Sequence, residues 1–298
     1  MFGPAPGTVP EPLNRYENVE GPEIFMESAF KTTIMGQNGV DIRKNHQHLN
    51  QDLKLTVDVN LQYIIREELI KFQNIFNSIG SAAILMNSKN GEVLALLSLP
   101  DYDLNKRQAL EDKNLINRVT KGVYELGSVF KTFTYAAGLN EGYINPDTEF
   151  KNLEKKIYCS KFPISEYDDK IPSDLSAEQI LIRSGNIGSV RIAQKIGSEK
   201  FESFLEKVGI LSQITFDIDE VAPQKKYEFG KCKLATASYG HGIATTILQL
   251  AKGYAILSNG GFEINPTLIN KNLEKNAKGT RLLNKGVSEQ VVSALRKI

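Results

Sequence analysis

The sequence predicts an α/β chain of the α+β type, with an antiparallel sheet flanked by helices. Two observations carry this. Residues 81 to 99 hold two apolar runs, Ala82 to Met86 and Glu92 to Leu97, on either side of Asn87-Ser88-Lys89-Asn90-Gly91. The Asn-Gly pair marks a tight hairpin. Both runs are almost continuously apolar, which predicts a sheet covered on both faces. The second observation is a series of segments with apolar residues at helical spacing, several opened by capping residues or closed by glycine.

In chain order, residues 1 to 49 are polar, with early Pro and Gly, and read as a linker or the remnant of another module. His46 and His48 read as a solvated pair, because no Cys or carboxylate cluster accompanies them. Leu53, Leu55 and Val57 alternate with polar residues, as in a short strand. Asp58 then caps an amphipathic helix over 59 to 77, with Leu61, Ile64, Ile65, Leu69, Phe72, Ile75 and Phe76 as its apolar stripe and Gly80 as its stop. After the hairpin, a polar stretch runs from Pro100 to Val119. Val129, Phe130, Phe133, Ala136, Ala137 and Leu139 make a mostly buried helix closed by Gly142. Ser176-Ala177-Glu178-Gln179 is a capping box, opening a helix to about Arg183. Ser184-Gly185-Asn186 interrupts, and Ile187 to Ile196 form the next helix. Further helices run from Ser198 to Gly209 and over 244 to 258. Val291, Val292, Leu295 and Ile298 keep helical spacing to the last residue, without a C-cap.

The chain has 298 residues, 41% of them hydrophobic, enough for a sizeable core. Net charge is +1, from 36 basic and 35 acidic residues, and lysine outnumbers arginine 27 to 9. This balance argues against nucleic acid as a partner. No apolar run reaches 18 residues, so no membrane-spanning helix is expected. Met1-Phe2-Gly3-Pro4 lacks the features of a signal peptide, so the sequence as it stands encodes no route out of the cytoplasm. Cys159 and Cys232 lie far apart and read as buried free thiols, with pairing in an oxidising compartment as the alternative.

Candidate chemistry centres on Gly127-Ser128-Val129-Phe130-Lys131. A serine hydroxyl becomes a nucleophile when a base takes its proton. A lysine one helical turn on can be that base if it is neutral. The helix dipole at Ser128 and burial near Phe130 and Phe133 both push it that way. In the competing reading Ser128 only caps the helix and Lys131 points to solvent. Ser184-Gly185-Asn186 lies between two helices, where Ser184 can relay a proton and Asn186 can bind a substrate amide.

Taken with their surroundings, these segments resemble the class B, division-type penicillin-binding proteins, whose motif set is Ser-x-x-Lys, Ser-x-Asn and Lys-Thr-Gly. The likeness includes Asp52 to Asp58, Asn90 to Ala95, Pro100 to Asn105, Tyr124 to Ser128, Ser238 to Ile243 and Asn259-Gly260-Gly261, and covers residues 50 to 298. It implies a penicillin-binding transpeptidase or serine β-lactamase-like fold. It also implies acyl transfer from stem peptides ending in D-Ala-D-Ala, with Ser128 as nucleophile, Lys131 as base, Ser184 as relay and Asn186 as substrate contact. Peptidoglycan, β-lactams and division-complex proteins are the implied partners, with no metal or organic cofactor. The family is anchored in the inner membrane with a periplasmic domain. No Lys-[Ser/Thr]-Gly follows the second motif: Arg183-Ser184-Gly185 overlaps that motif, and Lys278-Gly279-Thr280 has the wrong order. The expectation is therefore a domain without its C-terminal strands, poorly stable or inactive alone. Two other readings are an inactive remnant or scaffold and a serine β-lactamase or penicillin sensor.

Overall fold

The computed structural model describes residues 54–101, 116–218, 221–222, 227–270 and 279–298. The proposed N-terminal segment, His46, His48 and Leu53 lie outside them. The alternation ending at Val57 gives a single bridge, Leu55 with Ile269, in place of a strand.

Helix α1, Val59–Phe76, begins where Asp58 accepts from the N–H groups of Asn60 (2.9 Å) and Leu61 (3.1 Å). It closes at Asn77, φ 50°, ahead of Gly80, because Asn also tolerates the left-handed region. Strands β1 (Ser81–Met86) and β2 (Val93–Leu99) form the expected antiparallel hairpin, with Ser81 opposite Leu99 and Met86 opposite Val93. Gly91 is required in the connection. Its φ is 78°, and a Cβ would stand 2.1 Å from the Asn265 carbonyl oxygen.

Two burial expectations are corrected. Strand β2 is almost wholly buried, but β1 is only partly covered. On its other side β2 meets residues 56 and 267: the Thr56 hydroxyl donates to Val93 O (2.7 Å), and Val93 N–H donates to Thr267 O (2.8 Å). In α1 the stripe residues Ile64, Phe72, Ile75 and Phe76 are exposed, whereas Gln62 is buried. The Gln62 amide donates to Leu96 O (2.8 Å) and accepts from Leu96 N–H (2.9 Å), so α1 joins the hairpin through a polar side chain. Periodicity predicts a stripe; it does not say which part of it a sheet will meet.

The other strands are short antiparallel pairs. Strand β3 (Val123–Tyr124) pairs with β8 (Thr245–Thr246), β4 (Glu149–Phe150) with β7 (Leu175–Ser176), and β5 (Lys156–Cys159) with β6 (Phe162–Ser165). Instead of one broad sheet, the described residues carry four two-stranded ones.

The helical body centres on α2, Lys131–Asn140, all ten residues of which are buried. Around it the main core gathers residues of α3 (Ala177–Ile182), α4 (Asn186–Ile196), α5 (Ser198–Lys207), α6 (Lys231–Ala237), α7 (Ile247–Ser258) and α8 (Val287–Leu295). The predicted capping box opens α3: the Ser176 hydroxyl accepts from Gln179 N–H (3.2 Å), and the Gln179 side chain accepts from Ser176 N–H (2.9 Å). Thr246 and Gln249 make a second box, so α7 starts at Ile247 rather than 244. Helix α8 closes at Leu295, where Arg296 N–H bonds back to Val292 O.

The free-thiol expectation is overturned. Cys159 of β5 and Cys232 of α6 form a disulfide across 73 residues. The β5–β6 hairpin packs beside α6 in the fold, a proximity that sequence distance does not report.

Candidate active site

Ser128 sits in one 3-10 turn, Gly127–Phe130, that runs directly into α2. In 3-10 geometry the side chains at i and i+3 eclipse. Lys131 Nζ accordingly stands 3.2 Å from Ser128 Oγ. No side chain caps either the turn or α2, and Lys131 is 2% exposed. The reading in which Ser128 is a cap and Lys131 faces solvent is thereby excluded.

The turn is fixed largely through its main chain. Tyr254 of α7 donates to Val129 O (2.7 Å), and its ring meets Phe133 edge-on with centroids 5.2 Å apart. Gly127 N–H donates to Gly240 O (3.3 Å). Gly240 has φ 82°, and a Cβ there would stand 2.0 Å from Gly127 O, so only glycine allows this approach.

Ser184 ends α3 in a Schellman motif. Gly185 N–H bonds to Ile180 O (2.9 Å) and Ser184 N–H to Leu181 O (3.0 Å). Ser184 holds the left-handed position, φ 55°, where glycine is the usual residue. The conformation brings its carbonyl oxygen (2.5 Å) and its hydroxyl (2.9 Å) to Lys131 Nζ.

Asn186 is the first residue of α4 rather than part of the preceding loop. Its Nδ2 donates to Ser165 O (2.8 Å), which leaves Oδ1 as the acceptor for a ligand. Helix α4 has no side-chain cap from its own N-terminus. Glu166, just after β6, supplies one from outside: its carboxylate accepts from Asn186 N–H (2.6 Å) and Ile187 N–H (3.0 Å).

Burial lowers the Lys131 pKa from the ordinary 10.5 to about 8, with the negative charge of Glu166 opposing the shift. As an ammonium, Lys131 has three hydrogens for its three acceptors, Ser128 Oγ, Ser184 Oγ and Ser184 O. As a neutral amine it has two hydrogens and one lone pair. The carbonyl of Ser184 can only accept, so one hydrogen stays there. One hydroxyl must then reverse and donate to nitrogen. If that hydroxyl is Ser128, the second N–H points to Ser184 Oγ. The Ser184 hydroxyl proton is then free to move onward.

Ser128 and Ser184 open on a cleft of about 1000 Å³ that Asn186, Glu125, Tyr239 and His241 also line, with Lys131 buried behind the two serines. Glu125 accepts from Gly242 N–H (2.9 Å) and lies 3.2 Å from His241 Nδ1, while the Tyr239 and His241 rings stack in parallel. The structure thus brings together Ser128, Lys131, Ser184 and Asn186. Glu166 lies outside both sequence motifs, and nothing local marks it: it precedes Asn186 by 20 residues and reaches α4 only because the β5–β6 hairpin folds back.

A serine beside a buried lysine of lowered pKa, joined by a second hydroxyl, is the equipment of a serine–lysine acyl-transfer site. Residues 81–298 match the penicillin binding protein transpeptidase domain, and the chain belongs to this family. It is 28% identical over 277 residues to a probable peptidoglycan D,D-transpeptidase, FtsI, of Caulobacter vibrioides, covering 91% of this chain and 46% of that protein. It is 29% identical to the peptidoglycan D,D-transpeptidase FtsI of Buchnera aphidicola (86% and 47% covered) and 27% identical to a probable D,D-transpeptidase, PenA, of Neisseria flavescens (81% and 60%). The chain thus spans about half the length of these relatives. In fold it is similar to the transpeptidase domain of penicillin-binding protein 3 from Burkholderia pseudomallei, with TM-score 0.72, 24% identity, and 83% of this chain and 70% of that one covered. A peptidoglycan glycosyltransferase from Burkholderia ambifaria gives TM-score 0.73 at 23% identity, covering 82% and 74%.

Proposed function

We propose that this domain carries out acyl transfer in a peptidoglycan D,D-transpeptidase, cross-linking stem peptides during septal wall synthesis. The observation that carries the proposal is Lys131 Nζ lying 3.2 Å from Ser128 Oγ and 2.9 Å from Ser184 Oγ. With a pKa near 8, about one lysine in ten is neutral at pH 7, against about one in three thousand for an ordinary lysine. Ser128 Oγ attacks the carbonyl carbon of the penultimate D-alanine as its proton passes to Lys131. The carbon–nitrogen bond breaks, and the departing D-alanine amine takes a proton through Ser184. An amine of a neighbouring strand then attacks the acyl-serine, and Ser128 recovers its proton along the same path. Asn186 Oδ1 accepts from a substrate amide N–H. A β-lactam enters the first step alike, its ring carbon–nitrogen bond opening on Ser128. The scheme uses no metal or organic cofactor. The Cys159–Cys232 disulfide supports action in an oxidising compartment outside the cytoplasm. Division-complex proteins are the proposed partners, on the resemblance of residues 50 to 298 to division-type enzymes.

The test is labelling with a fluorescent penicillin from pH 5.5 to 9.5, with the adduct mapped by mass spectrometry. The expected adduct is on Ser128, with none in Ser128→Ala. Because the base acts unprotonated, the rate should rise about tenfold per pH unit and level off above about pH 8. Label on a residue other than Ser128, or equal label in Ser128→Ala, would sink the catalytic reading; a wild-type chain that takes up no label at any pH would match the expectation of a domain inactive without a Lys-[Ser/Thr]-Gly strand.

A further inference from the structure

The site rests on a group outside both sequence motifs. Helix α4 starts directly after the left-handed turn at Ser184, and its first N–H groups have no partner from their own segment. Both oxygens of the Glu166 carboxylate fill that role, at 2.6 and 3.0 Å. Helix N-termini favour an anion at this position. The preceding residue, Ser165, holds the Asn186 side chain through its carbonyl oxygen. One two-residue segment therefore fixes both the main chain and the side chain of Asn186. Ser184, two residues earlier, supplies two of the three acceptors around Lys131.

We propose that Glu166 is a positioning residue for the serine–lysine site: its carboxylate fixes Asn186 and the start of α4, two residues beyond Ser184, and its charge acts on Lys131. The acyl-transfer relevance of this role rests on the function proposed above; its physical content does not. The negative charge opposes the effect of burial on the lysine. Glu166 thus holds the helix start next to Ser184 and, at the same time, limits how readily the amine becomes neutral. The acidic and basic side chains lining the cleft are Glu125, Asp168, Asp169, Lys170, Arg183 and His241. They are common to every variant below, so a change between variants belongs to Glu166.

The test uses the full chain with ¹³C-labelled lysine. The Lys131 ε-carbon resonance, assigned by its loss in Lys131→Arg, is followed against pH in wild type, Glu166→Gln and Glu166→Asp. Removing the charge disfavours the ammonium, so E166Q should titrate at lower pH, by about one on the pH scale. E166D, which keeps the charge, should return the midpoint toward wild type. Amide exchange at Asn186 and Ile187 reads the cap directly, and protection of both should fall in E166Q. A purely structural role would change stability without moving the Lys131 midpoint. An unmoved midpoint, unmoved protection, or an E166Q chain that no longer folds each overturns the proposal. Penicillin labelling is scored separately. If Ser128→Ala is labelled as well as wild type but the midpoint and protection move as expected, the proposed function falls while the role of Glu166 stands.

Discussion

The two loops that line the cleft are fixed by different means. The turn at Gly127 and Ser128 is held mainly by main-chain contacts: Gly240 lies against Gly127, and the Tyr254 hydroxyl bonds to Val129 O. The start of α4, directly after Ser184 and Gly185, is held by a charged side chain from elsewhere, the carboxylate of Glu166 on Asn186 and Ile187 N–H. Main-chain packing is indifferent to pH but intolerant of any added Cβ. A carboxylate cap tolerates changes of size but responds to charge. The nucleophile is thus fixed by shape, and the helix start that follows the relay by electrostatics.

Breaking the link between the two sides should have the largest effect. The disulfide joins β5, close to Glu166, to α6, which leads to Gly240. Cys159→Ser with Cys232→Ser should cost about 2–4 kcal/mol, read by urea unfolding of the oxidised wild type against the double variant. A loss under about 0.5 kcal/mol would show that the two sides do not depend on the link. Next in size, Gly240→Ala places a Cβ against Gly127 O in a left-handed conformation. It should destabilise by about 1–3 kcal/mol and slow penicillin acylation at least tenfold. Wild-type acylation in G240A would contradict a nucleophile turn held by close main-chain approach. The smallest effect on stability has the opposite sign. Ser184→Gly relieves a left-handed serine and should stabilise the chain by about 0.5–1 kcal/mol, while acylation falls. Destabilisation of S184G would mean that the hydroxyl supports the fold rather than the chemistry.

What could be read from sequence follows the reach of each interaction. The Asp58 cap, the Ser176–Gln179 box, the hairpin and the helices around the two motifs depend on residues a few positions apart, and their patterns are explicit. Ser128 and Lys131 were legible for the same reason, since one turn superposes them. Glu166 and the disulfide were not. They act across 20 and 73 residues, and the β5–β6 hairpin that delivers both has strands of only four residues, too short for a period to stand out in the sequence. The stripe on α1 was legible as periodicity but misleading as burial, because the contact to β2 runs through Gln62. Ser184 shows the converse: a serine where the local rule asks for glycine is where chemistry has displaced conformational preference.

The Cys159–Cys232 bond also divides the site topologically. It closes a covalent ring of chain that contains Glu166, Ser184 and Asn186, while Ser128 and Lys131 precede the ring and Gly240 follows it. One peptide-bond cut at an exposed point inside the ring, such as near Tyr167, would leave a nicked molecule with no free fragment. The pieces would separate only after reduction and unfolding. The half of the cleft that carries the relay therefore stays tethered to the half that carries the nucleophile even when the backbone between them is interrupted.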